Sequence, residues 1–229
     1  MKTIGLIGGM SWESTQTYYK IINETVKKSL GGLHSAKILL YSVDFDEIER
    51  CQSSGRWDTS AEILGDAAAR LEGAGADFIV ICTNTMHKVA PEIRQRISVP
   101  LLHIAEVTAQ VLKDHGIRTA GLLGTSYTMT EAFYRDVLTD EGLNVLVPEQ
   151  DEMDEVNRII FDELCVGDVR ESSRQTLLRV IEGLRRRGAE GVILGCTELG
   201  MLAQDGDTEI PLFDTALLHA EQAALLSLR

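Results

Sequence analysis

The strongest constraint on this chain is that it repeats itself. Lys2-Thr3-Ile4-Gly5-Leu6-Ile7-Gly8 returns 116 residues later as Arg118-Thr119-Ala120-Gly121-Leu122-Leu123-Gly124. Gly75-Ala76-Asp77-Phe78-Ile79-Val80 returns 113 residues later as Gly188-Ala189-Glu190-Gly191-Val192-Ile193. Val99-Pro100-Leu101-Leu102 returns 111 residues later as Ile210-Pro211-Leu212-Phe213. Three matches in one order at nearly one spacing indicate two homologous halves with small insertions or deletions between them. Each half alternates short apolar runs with longer amphipathic stretches, the pattern of an α/β fold. Strands are expected at 3–7, 37–42, 77–82, 100–103, 118–123, 191–195 and 211–213, with a weaker one near 144–147. Helices are expected near 13–29, 58–73, 87–96, 104–114, 129–140, 152–165, 171–187 and 215–227. In the second of these, Ile63, Ala67 and Leu71 fall at i, i+4 and i+8, the spacing of one buried helical face. The expected architecture is two pseudosymmetric, doubly wound α/β lobes with parallel sheets. Ligands of such sheets sit beyond the carboxyl ends of the strands, so the active site is expected in the cleft between the lobes.

Composition narrows the function classes. The 229 residues carry a net charge of −13 and are 44% apolar, the profile of an ordinary globule. The basic residues form no cluster beyond Arg185-Arg186-Arg187, which argues against a nucleic-acid partner, because polyanion binding needs a concentrated basic face. No apolar run approaches the ~20 residues that span a bilayer, and the N-terminus lacks the layout of a signal peptide. A cytoplasmic protein is expected. Its four cysteines, Cys51, Cys82, Cys165 and Cys196, show neither a C-x-x-C pair nor a histidine at ligand spacing, so no metal site and no disulfide framework are indicated.

Three strand-to-helix turns then stand out. In Gly5-Leu6-Ile7-Gly8-Gly9-Met10-Ser11 the glycines let the backbone approach a ligand, and Ser11 is placed to cap the next helix. The segment does not match G-x-G-x-x-G, which favours a small anion over a dinucleotide; a tight turn needing only shape explains it about as well. Its repeat counterpart Gly124-Thr125-Ser126 makes Thr125 a candidate site residue. The second turn is Cys82-Thr83-Asn84-Thr85-Met86-His87, and the third, at a shift of 113, is Gly195-Cys196-Thr197-Glu198. Thr83 therefore pairs with Cys196. Cys82 pairs with Gly195, one step back on the strand and on the other face of the sheet, and reads as a buried structural thiol. Cys196 closes a buried strand and opens a turn rich in backbone donors, where a thiol pKa is expected to fall. Cys51 and Cys165 read as ordinary thiols, and His87, His103 and His219 each as satisfied structural groups. The acidic run Asp151–Glu155 reads as a helix-start cluster.

These residues resemble the aspartate/glutamate racemase superfamily of cofactor-independent enzymes. The resemblance covers essentially the whole chain: Gly8-Gly9-Met10, the Asn84-Thr85-Met86-His87 turn, Gly195-Cys196-Thr197-Glu198, and the two similar halves. In relatives the last segment returns to the first lobe, which implies lobes of 1–98 plus 208–229, and 99–207. The implied chemistry is removal of the α-hydrogen of an amino acid by one cysteine thiolate and reprotonation on the opposite face by another, with no pyridoxal phosphate and no metal. Carried over, the catalytic pair is Thr83 and Cys196, and the first position departs from the family's cysteine. In relatives the second cysteine takes the hydrogen from the L enantiomer, so the resemblance implies that Cys196 acts on that enantiomer; a hydroxyl is a poor base at neutral pH, and Thr83 is expected to give a proton on the other face, directly or through a water. Ser11, Asn84, Thr85 and Thr197 would hold the substrate carboxylate and developing negative charge through backbone amides. Met10, Gln52, Met86, Thr125 and Glu198 are further candidate contacts. Cys165 stands where some aspartate-specific members carry a lysine.

The resemblance thus implies an isomerase acting on aspartate or glutamate. A single-cysteine decarboxylase or isomerase of the same superfamily, and a non-catalytic two-lobed amino-acid-binding protein, stay open as alternatives. The segment 43–57 is expected to be a specificity loop and lid. The sequence leaves a homodimer open and does not choose between aspartate and glutamate.

Overall fold

A computed structural model describes residues 1–204 and 206–229. It divides into two compact units, Met1–Ile104 with His219–Arg229, and Ala105–Leu218.

In the first unit, β1 (Thr3–Gly8) leads into α1 (Trp12–Leu30), β2 (Lys37–Ser42), α2 (Phe45–Ser53) and α3 (Trp57–Gly73). Then come β3 (Phe78–Ile81), a 3₁₀ turn over Thr85–Val89, α4 (Ala90–Arg94) and β4 (Leu101–Leu102). The sheet order is β2-β1-β3-β4, all parallel. Every residue of β3 is buried, as a central strand covered by helices on both faces requires. The core gathers Ile7, Ile48, Leu64, Leu71, Ile79 and Ile81. Removing a side chain such as that of Ile79, fully buried here, costs ~2–5 kcal/mol in comparable cores.

The second unit repeats this plan. The helix α5 (Ile104–Asp114) carries the chain into it, followed by β5 (Thr119–Gly124), α6 (Ser126–Thr130), α7 (Ala132–Asp140), β6 (Asn144–Leu146) and α8 (Gln150–Asp162). After a 3₁₀ turn at Leu164–Val166 come α9 (Glu171–Arg186), β7 (Gly191–Gly195), another 3₁₀ turn at Leu199–Met201 and β8 (Leu212–Asp214), and α10 (Thr215–Ser227) then carries the chain back into the first unit from His219 onward. The order β6-β5-β7-β8, again parallel, is the first sheet over again. The repeat extends to packing. A Cβ on Gly5 would lie 2.8 Å from Ile79 Cδ1, and one on its counterpart Gly121 would lie 2.9 Å from Leu184 Cδ1. Glycine at both positions lets the flanking side chains settle onto the strand.

Three expectations change. β4 pairs with β3 and β8 with β7. The units therefore divide at Ile104 and Leu218, and not at the 98/99 and 207/208 boundaries implied above. The segment 43–57 is not a loop, because Phe45–Ser53 is a helix with Ile48 and Cys51 buried, capped by Asp44 Oδ1 accepting from Asp46 N–H at 3.2 Å. The expected helices 129–140 and 152–165 are each interrupted, the first at Glu131 and the second at Glu163.

Candidate active site

In each unit the candidate residues other than Gln52 and Cys165 lie at or just beyond the carboxyl ends of the two central strands, which the register sets side by side. Ile7 pairs with Ile81, so the Gly8–Ser11 and Cys82–Thr85 turns are neighbours. Gly124 pairs with Gly195, which does the same for Thr125 and Cys196.

The first tip begins with Gly9, whose φ of 93° favours glycine and whose absent Cβ would strike Val43 O. Gly9 N–H donates to Thr15 Oγ1 at 2.8 Å, and that hydroxyl donates to Ser11 O at 2.9 Å. Ser11 caps α1, its Oγ accepting from Ser14 N–H at 3.2 Å. On the neighbouring turn Thr83 is half-buried, while Asn84 and Thr85 are buried. Behind it lie three histidines. His87 Nδ1–H donates to Thr83 O at 2.8 Å, while His87 Nε2 accepts from Ile104 N–H at 3.2 Å. These two bonds require the neutral imidazole with its proton on Nδ1. His219 Nε2–H donates to Leu102 O at 3.0 Å, so its Nδ1 accepts from Tyr18 O–H at 2.9 Å. The rings of His103 and His219 lie 4.6 Å and 5.6 Å from that of His87. Burial holds all three pKa values down, with neighbouring imidazoles adding to the effect on His87 and His219 and Arg94 on His103. His103 falls to about 4 and His219 to about 3. They form a neutral brace under Thr83.

The second tip is acidic. Thr125 caps α6, its Oγ1 accepting from Thr128 N–H at 3.4 Å. Cys196 is 8% exposed and packs in the core of its unit. Its Sγ–H donates to Glu198 Oε2 at 3.0 Å, and Thr197 Oγ1–H donates to the same oxygen at 2.6 Å. Burial first, then the charge and hydrogen bond of the Glu198 carboxylate, push the thiol pKa up, against a smaller opposing effect of the Glu198 backbone N–H. This overturns the expectation of a lowered thiol pKa: desolvation and a carboxylate at contact distance outweigh the backbone donor. Cys165 is exposed and close enough to Cys196 to act on it electrostatically. Its turn is fixed by buried Glu163, which accepts from Ser173 Oγ–H at 2.5 Å and Arg158 Nη1–H at 2.8 Å.

Cys82 is fully buried and its pKa is pushed up by desolvation. Met86 is fully buried and Met10 nearly so, both within the core of the first unit. Both candidate contacts thus have side chains that pack in that core. Gln52 is half-buried on α2. Two features escaped the sequence reading. The histidines cluster because the end of β4 and the first half of α10 return to one place, which no local spacing signals. Asp214, at the end of β8, is pushed up in pKa by burial and by Glu198; an acid closing a strand was its only signal. Among the described residues no group of His, Cys, Asp or Glu could hold a metal ion, and no helix is long and apolar enough to cross a membrane.

Residues 7–223 match the family model for Asp/Glu/hydantoin racemases. The chain therefore belongs to that family. It is similar over its full length to a Yersinia pestis protein provisionally named an Asp/Glu racemase, at 53% identity and a TM-score of 0.96, with 100% of both chains covered. An aspartate racemase homologue from Pyrococcus horikoshii OT3 is 38% identical with a TM-score of 0.89, again over 100% of both chains. The broad specificity amino-acid racemase RacX of Bacillus subtilis (strain 168) is 28% identical over 95% of each chain.

Proposed function

We propose that the protein is a cofactor-independent racemase of acidic amino acids, aspartate and glutamate, working in the cytoplasm, where free thiols stay reduced. In this reading Cys196 removes and returns the α-hydrogen of the L enantiomer, and Thr83 serves the opposite face. The observation that carries it is the Cys196 thiol at the end of β7, hydrogen-bonded to a carboxylate, in a chain of this family. The kinship with an aspartate racemase homologue and with a broad specificity amino-acid racemase supports the substrate class. Abstraction next to a carboxylate builds negative charge on its oxygens, which preorganised donors must meet. The reading assigns that task to backbone amides at Ser11, Asn84, Thr85, Thr125 and Thr197, with Gln52 and Cys165 as side-chain contacts. It requires the two tips to serve one substrate.

Thermodynamics limits the asymmetry. Free enantiomers have equal energy, so kcat/KM for net conversion is equal in both directions. A preference for L can appear only in hydrogen exchange with retention. The test is incubation with L- and D-glutamate and L- and D-aspartate without added cofactor, followed by chiral chromatography. Interconversion of one pair with equal kcat/KM both ways is expected; four inert substrates would sink the proposal.

A further inference from the structure

Cys196 presents a problem that the racemase reading does not solve. To take a hydrogen it must be a thiolate, yet it is buried beside a carboxylate, and outright ionisation would put a second negative charge there. We infer that Glu198 is itself a catalytic residue, accepting the Cys196 proton when the thiolate forms. The inference rests on that reading of Cys196. The geometry serves both protonation states. Glu198 Oε2 receives Sγ–H at 3.0 Å, and the backbone N–H of the same residue donates to the sulfur, the bond a thiolate needs. Moving the proton from Sγ to Oε2 breaks one S–H bond, forms one O–H bond and leaves the net charge of the pair at minus one. Desolvation, which opposes new charge, then opposes this step far less than loss of the proton to solvent. Thr197 Oγ1–H, 2.6 Å from Oε2, fixes the carboxylate oxygen in place.

The proton count also closes over a full turnover. The thiolate takes the α-hydrogen of the L substrate and is a thiol again. Thr83 gives its hydroxyl proton to the opposite face of the carbon and is left one proton short. Glu198 holds one proton in excess, and its release to solvent together with uptake of one proton by Thr83 resets both residues. Asp214, whose pKa is raised by burial and by Glu198, is an acidic group acting on this pair, and the Cys165 thiol acts electrostatically on Cys196.

The experiment compares wild type with Glu198→Gln, which keeps an acceptor for Sγ–H but cannot take the proton. Exchange of the α-hydrogen of L-glutamate at pH 7.5 is expected to fall about 100-fold, within the range of general acid–base catalysis, with KM changed less than about threefold. Glu198→Asp is expected to recover part of it. A readout free of any substrate is iodoacetamide alkylation of Cys196, followed by peptide-resolved mass spectrometry because Cys165 is exposed. If the pair shares one proton, the wild-type alkylation rate is flat with pH between carboxyl and thiol ionisation, and Glu198→Gln is slower at pH 7.5. Wild-type alkylation that climbs tenfold per pH unit without a plateau, or faster alkylation with retained exchange in Glu198→Gln, overturns the inference: Glu198 would then only suppress the thiolate. Wild type without α-hydrogen exchange defeats the racemase reading, while the alkylation profile still decides the role of Glu198.

Discussion

The two strand-end tips share a backbone plan and carry opposite chemistry. In the first unit the turn after β3 presents a hydroxyl, Thr83, and its carbonyl is braced by an imidazole in a cluster of neutral histidines. In the second, the turn after β7 presents a thiol, Cys196, set against Glu198 with Asp214 nearby in charge. Duplication explains why the scaffold is the same: parallel central strands, glycines under packed side chains and capped helix starts are demands of packing that both halves must meet. It does not constrain what stands just past the strand. The comparison teaches that the fold supplies two equivalent positions and the side chains decide which can accept a proton.

The largest expected effect separates the tips directly. Cys196→Ala is expected to lower α-hydrogen exchange of L-glutamate by at least about 10³-fold, in the range of removing an essential acid–base group. Thr83→Ala keeps that exchange within about tenfold while abolishing net racemisation. Equal losses from both substitutions, read by proton NMR and chiral chromatography, would erase the distinction. Next in size, Thr83→Cys makes the first tip resemble the second and is expected to raise α-hydrogen exchange of D-glutamate about 100-fold. An unchanged D rate would show that the position, and not the hydroxyl, limits that face.

Acid separates the units through stability. Histidines held neutral in the fold bind a proton on unfolding at pH values below the ordinary 6.5. The unfolded state then binds more protons, and stability falls as pH falls. For His103, with a folded value of about 4, the loss runs from about pH 6.5 to 4 and reaches about 3 kcal/mol at ~1.4 kcal/mol per unit. Hydrogen exchange by mass spectrometry at pH 7 and pH 5 is expected to show protection lost first in β1, β3 and β4, with β5 and β7 holding. Uniform loss would contradict the brace. The smallest effect is local: Ser11→Ala and Thr125→Ala each remove a cap and are expected to cost ~1 kcal/mol in urea unfolding.

Most of the strand framework was legible in the sequence, because central strands buried on both faces read as continuous apolar runs such as Phe78-Ile79-Val80-Ile81, and the repeat gave each a partner. The helix α2 was not. Its inward face is only Ile48 and Cys51 with Phe45 beside them, too short a period to stand out among Asp46, Glu47, Glu49 and Arg50. Pairing of the two-residue strand β4 with β3 depends on long-range register, which set the unit boundary a few residues from expectation. At the site, the turn residues were legible and their electrostatics were not. The sequence showed backbone donors around Cys196 but not its burial, nor which way the Glu198 carboxylate turns. Those two facts reverse the direction of the thiol shift.

The central claim is that the acidic thiol tip, and not the hydroxyl tip, is the base toward an L amino acid. It is tested most directly by proton NMR of L- and D-glutamate and L- and D-aspartate in D2O with the wild-type protein, following α-hydrogen loss alongside the chirality of the product. The account predicts that an L substrate loses its α-hydrogen with retention faster than the D substrate does, while D product accumulates. Faster exchange of the D enantiomer, or no exchange of either, would contradict it.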